Sequence, residues 1–260
     1  MNLPQYRVPF SPFNPYRKVR PATSKIIFIS CEGSVTEEEY FDCVSNIYSE
    51  IKSKIQIVSV SEDAIHTKLD CRTEAQVKEL SKVRPKQLVE RIEKFKAERN
   101  QDFQFDAYPE DEFWIITDVD KNWTEEIIEP KTGKTYMDEW NEAVALCQKH
   151  DYRYAISNPQ FEMWLLLHYA DPTEEDIAFA VTNTHVYERT SHYRKRLRKL
   201  GVPLHNKKHI RHENFNDENI RVAIERAEAL HLNKEDFCPK YFATTVYLVL
   251  KKIIEMMPVR

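Results

Sequence analysis

Apolar residues along this chain fall into short unbroken runs early and into amphipathic stretches later. Ile26, Ile27, Phe28 and Ile29 follow one another and end at Ser30 and Cys31. A run this short, apolar on successive positions, predicts a strand covered on both faces. Phe113 to Thr117 repeats the pattern and leads into Asp118, Val119 and Asp120. Ile55 to Val60 and Tyr152 to Ile156 predict two shorter strands. Between these runs the period becomes helical. Thr36, with Glu37 to Glu39 in the first turn, begins a helix to about Lys52, because a helix N-terminus favours negative charge. Pro85 opens a second helix through Leu88, Ile92 and Phe95, and Met137 to His150 forms a third. Strands alternating with helices predict an α/β fold with a parallel sheet.

Ser157 and Asn158 before Pro159 read as a helix cap and a proline-tolerant first turn. The helix that follows places Phe161, Trp164, Leu165 and His168 on one face. Beyond it the pattern is helical throughout, with helices near Tyr187 to Leu200, Asp217 to Leu230 and Phe242 to Met256, and no further strand. The first 24 residues carry Pro4, Pro9, Pro12, Pro15 and Pro21, which prevents regular helix and predicts an extended arm. The expected division is an arm at 1–24, an α/β core at 25–170 and a helical portion at 171–260 packed on that core.

The 260 residues are enough for a substantial core without disulfide support. Five cysteines, odd in number and without a C-x-x-C pair, predict reduced structural thiols. No apolar run approaches the roughly 18 residues of a membrane span, and Met1 to Arg20 lacks the apolar centre of a signal peptide. The expected location is the cytoplasm. With only three glycines there is no glycine-rich phosphate loop, which argues against ATP hydrolysis by this chain.

The net charge of -4 conceals an uneven distribution. Arg194, Lys195, Arg196, Arg198, Lys199, Lys207, Lys208 and Arg211 occupy a segment without a single acid, whereas Glu110 to Glu129 is dominated by acids. An acidic centre beside a basic segment suits a metal ion and a polyanion, so the eight basic residues are candidate nucleic-acid contacts. Lys207 and Lys208 are also candidates for a phosphate or a transition-state oxyanion.

In an open α/β sheet ligands bind beyond the carboxyl ends of the strands, where Glu32 and the Asp118-Val119-Asp120 turn can meet. Three acids in one small volume repel unless a cation neutralises them, and an all-oxygen set selects magnesium or manganese. Such an ion supports phosphodiester hydrolysis. An isolated D-x-D is nevertheless more often a strand terminator than a ligand pair.

Context changes that balance. Cys31-Glu32-Gly33-Ser34-Val35-Thr36-Glu37 with Tyr40-Phe41, then Thr117-Asp118-Val119-Asp120, then Ser157-Asn158-Pro159-Gln160-Phe161-Glu162-Met163-Trp164-Leu165-Leu166-Leu167-His168, resembles the RloB family pattern. Thr244-Thr245-Val246-Tyr247 resembles its carboxyl-terminal signature. The resemblance implies a TOPRIM-like, Rossmannoid sheet in which Glu32, Asp118 and Asp120 bind magnesium or manganese for phosphoryl transfer. It also implies a nuclease role in anti-phage defence, acting on RNA, transfer RNA included, or on DNA, beside an AAA/ABC-type ATPase. A homo-oligomer stays open. The alternative is a non-catalytic subunit that binds nucleic acid or the ATPase.

Glu162 keeps two readings: a further catalytic acid touching metal or substrate, or a structural acid at a helix start. His168 reads as a hydrogen-bonded packing residue rather than a general base. His205, His209 and His212 lack a metal-ligand spacing and are assigned no ion.

Overall fold

The computed structural model describes residues 25–33, 35–48, 55–59, 84–119, 133–182, 192–205, 209–232 and 242–255. The proline-rich arm, Asp120, Lys207 and Lys208 lie outside the described residues, as does the stretch to Lys52 expected to end the first helix. Strands are β1 (Lys25–Cys31), β2 (Ile55–Ser59), β3 (Glu112–Asp118), β4 (Arg153–Asn158) and β5 (Ala243–Thr244). The helices are α1 (Thr36–Ile47), α2 (Pro85–Phe103), α3 (Tyr136–His150), α4 (Phe161–Leu167), α5 (Glu174–Thr182), α6 (His192–Lys199), α7 (Asp217–Leu230) and α8 (Tyr247–Glu255).

The strands form one sheet in the order β2-β1-β3-β4-β5. The first four run parallel, and only β5 is antiparallel. A parallel sheet needs cover on both faces, and the alternating side chains of β1 divide accordingly. Ile27, Ile29 and Cys31 enter one apolar cluster with residues of α1, α4, α6, α7 and α8. Ile26 and Phe28 enter the other, with α2 and α3. The expected α/β fold with a mostly parallel sheet is the one observed.

Two sequence expectations need correction around β4. Ser157 and Asn158 are not a helix cap; they are the end of β4, pairing with Thr244 and Ala243. Their main chain is committed to the sheet, so α4 starts at Phe161 with Gln160 as N-cap and no side-chain cap. Second, a strand does occur in the carboxyl-terminal portion: β5 takes the place of the first turn expected for the last helix, which begins at Tyr247. Thr245 holds this junction, its hydroxyl accepting from Ile156 N–H at 2.8 Å and its own N–H donating to the Ile156 carbonyl at 2.8 Å. Every residue of α4 from Phe161 to Leu167 is buried, because the helix lies between β4 and the layer of α6 and α7. Apart from Glu162 the helix is apolar all round, as an interior helix is.

Candidate metal and nucleic-acid site

Parallel pairing puts the carboxyl ends of β1, β3 and β4 on one rim. Cys31 stands opposite Ile116 and Asp118 opposite Ser157, so Glu32, one residue beyond β1, comes level with the end of β3. Glu32 N–H still donates to the Ile116 carbonyl at 2.9 Å, extending the ladder by one bond. Its carboxylate then turns to β3. Oε2 accepts from the Thr117 hydroxyl and from Asp118 N–H at 3.1 Å.

Asp118 receives the N–H of Phe161, the first residue of α4. Despite that bond its carboxyl is pushed well above the usual range, first by burial and then by the charges of Glu37, Glu32 and Glu162. Glu37 is pushed up to about 8, again by burial first and then by Glu162 and Glu32. Burial and mutual repulsion thus favour protonation of both Glu37 and Asp118, which lowers the negative charge of the cluster. Glu37 reaches the rim because Gly33 has no side chain: a Cβ there would overlap the Glu37 carboxylate.

Glu162, in the first turn of α4, is 5% exposed. Its Oε1 accepts from Arg194 Nε at 2.6 Å and pairs with Nη2 of the same guanidinium. On the opposite face of the sheet, Arg91 of α2 donates to the Cys31 carbonyl at 2.9 Å, directly before Glu32.

The structure thus brings Glu32, Asp118 and Glu162 together, and Asp120 is outside the described residues. Glu37 and Thr117 join them, and Arg91 braces the end of β1 from the other face, although sequence reasoning selected none of the three. Glu37 was read as an ordinary helix-start acid; its spacing of one helical turn from Gly33 was the available signal. Thr117 and Arg91 carry no local signal of their role.

The basic residues divide. Arg194 meets Glu162, whereas Arg196 turns to Asp176 at 3.4 Å. Lys195, Arg198 and Lys199 are exposed along α6, held by the buried Tyr193 and Leu197. Arg211 is exposed and donates to His205. His209 pairs with Glu39 of α1, which also accepts from Ile210 N–H at 2.9 Å, so this loop is docked on α1.

His168 is a packing residue in its geometry. Nδ1 meets the Trp164 carbonyl at 3.0 Å and Nε2 meets Tyr40 Oη at 3.0 Å. Burial pushes its pKa down to about 3, so the ring is neutral. The cysteines that can be described, Cys31, Cys43 and Cys147, are free and buried.

Buried and half-buried, mutually repelling oxygen donors fit a hard divalent cation in kind. Among the described residues, however, no three His, Cys, Asp or Glu side chains converge closely enough to hold an ion as they stand. No helix among the described residues is long and apolar enough to cross a membrane.

Fold and rim together define an α/β protein whose mostly parallel sheet gathers acids at its carboxyl edge. The chain belongs to the RloB-like protein family, whose model matches residues 27–253. No curated protein matches it significantly, and no solved structure does.

Proposed function

We propose that this chain is a TOPRIM-type, metal-dependent nuclease subunit that hydrolyses phosphodiester bonds of RNA or DNA in anti-phage defence, beside an AAA/ABC-type ATPase. The observation that carries the reading is the junction of Glu32 with the end of β3, where Asp118 follows Thr117. Half-buried acids at the ends of two parallel strands meet at the edge where α/β sheets bind ligands. Glu32 and Asp118, with Asp120, would hold magnesium or manganese. When bound, such an ion supplies charge neutralisation and Lewis-acid polarisation of a phosphoryl oxygen. The chain's own contribution is to fix these carboxylates and to draw the polyanion with Lys195, Arg198 and Lys199.

A second reading, a nucleic-acid-binding subunit without catalysis, draws on the fact that Glu32, Asp118 and Glu162 all accept hydrogen bonds from the protein. Cleavage of mixed RNA and DNA substrates with magnesium or manganese, with and without the ATPase, separates the two. The nuclease reading expects cleavage by wild type and none by Glu32→Ala/Asp118→Ala. Intact substrate under every condition, with binding retained, selects the second.

A further inference from the structure

We propose that Glu162 is a positioning residue rather than a metal ligand: it holds the Arg194 guanidinium at the edge of the carboxylates, where Arg194 contacts a substrate phosphate. This rests on the reading of the substrate as a nucleic acid.

The argument starts from the unequal fates of the basic residues. Arg196 is used internally, its Nη1 donating to Thr173 Oγ1 at 3.4 Å and its Nη2 facing Asp176. Lys195, Arg198 and Lys199 face solvent, where they attract a polyanion without locating it. Arg194 is different because both its root and its head are fixed. The neighbouring Tyr193 is fully buried and donates its hydroxyl to the Asp176 carbonyl at 3.0 Å, which pins α6. The head is held by Glu162 through Nε and Nη2 together.

Two N–H groups on one oxygen set the plane of the guanidinium, a constraint that an ammonium would not provide. The pair also runs from interior to surface: the Glu162 side chain is 7% exposed and that of Arg194 is 25% exposed. A phosphate approaching Glu32 and the acids beside it would be repelled by the negative charge that remains on them. A fixed cation at their margin offsets that repulsion and presents a planar donor to phosphate oxygens. Glu162 Oε1 is already committed to two charge-assisted bonds, so a metal ion could use this carboxylate only through Oε2 without breaking a largely buried ion pair.

The test uses two readouts that need no turnover. One is binding of labelled single-stranded RNA and DNA oligonucleotides in EDTA, followed by anisotropy across a salt series. The other is manganese binding, followed by calorimetry. Glu162→Gln and Arg194→Gln should each weaken oligonucleotide binding by about tenfold and lower the salt slope by about one. The double variant should bind no worse than Arg194→Gln alone, because the two residues act as one unit. Manganese affinity of Glu162→Gln should stay within about threefold of wild type. Arg194→Lys keeps the charge without the fork and should recover only part of the binding; it carries the test if Arg194→Gln does not fold.

Loss of manganese binding in Glu162→Gln would make Glu162 a ligand and overturn the proposal. So would oligonucleotide binding unchanged in Glu162→Gln, or restored fully by Arg194→Lys. If wild type binds oligonucleotide and never cleaves it, the nuclease reading fails while these comparisons still decide the role of the pair.

Discussion

Thr117 donates its hydroxyl to Glu32 Oε2 across 85 positions of chain. This bond fastens the acid at the end of β1 to the end of β3, and Asp118 N–H adds a second donor at 3.1 Å. The orientation of Glu32 therefore depends on a hydroxyl that has no chemistry of its own.

Thr117→Val tests that dependence. Thr117 is 1% exposed, and valine fills the same space. Stability should change by about 1 kcal/mol, the usual worth of one hydrogen bond. Manganese affinity and cleavage should fall by roughly 10–100-fold, the effect of removing a partner that orients a ligand. A melting curve and a manganese titration check both; unchanged manganese affinity would remove Thr117 from the site.

Gly33→Ala addresses Glu37. The added methyl group would overlap the Glu37 carboxylate, which is the movable end of a side chain rather than backbone. The fold should therefore survive at a cost of about 1–3 kcal/mol, while the carboxylate leaves its place at the rim. Cleavage should drop sharply with the protein still folded by circular dichroism. Wild-type cleavage from Gly33→Ala would show that the position of Glu37 does not matter.

Two buried groups give opposing pH dependences. Glu37 has a folded-state value of about 8, above its ordinary 4.5. The folded protein thus keeps a proton that the unfolded chain releases, and stability falls as pH rises from about 4.5 to 8. His168 has a folded-state value of about 3, below its ordinary 6.5. Here the unfolded chain takes the proton first, and stability falls as pH drops from 6.5 towards 3. Between 4.5 and 6.5 the slopes oppose one another, so variants are needed to see either. Relative to wild type, Glu37→Gln should gain stability on going from pH 4.5 to 8, and His168→Gln should show a flatter acid limb. Denaturant midpoints at several pH values measure this, and curves parallel to wild type would contradict it.

Asp176 is the internal anchor of α6. Its side chain is fully buried and is met by His192 at 2.6 Å, by Arg196 at 3.4 Å and by the Thr173 hydroxyl at 2.8 Å. Burial pushes its carboxyl up, but hydrogen bonds from Thr173 and His192 outweigh this and hold it below the ordinary value. Asp176→Ala should cost roughly 3–5 kcal/mol by leaving buried partners uncompensated. Arg196→Ala, which removes only the more exposed partner, should cost less. Equal losses in urea unfolding would show that Asp176 is not the hub.

Much of the site was legible locally. Apolar runs ending in Glu32 and Asp118 identified both acids and the edge of the sheet on which they stand, since a buried strand is readable from a few residues. The basic character of α6 was legible as well. The error at Ser157 and Asn158 shows where such reading stops. Asn before Pro suits a cap by local propensity, but pairing with Ala243 and Thr244 claimed the same backbone. Glu37 is the first-turn acid that the sequence predicted; its further place among the rim acids went unread for a related reason, since a first-turn acid has a sufficient local explanation and only Gly33 hints at another.

The sequence by itself determined the types of most elements, the mostly parallel sheet and the family, because periodicity and motif spacing are properties of neighbouring residues. Tertiary structure decided which distant groups meet: Thr117 with Glu32, Arg194 with Glu162, Glu39 with His209, and β5 with β4. These contacts link residues separated by 32 to 170 positions, and their free energy depends on how whole layers pack. No local pattern encodes that choice, since the same side chains would satisfy the same periodicity in another sheet order.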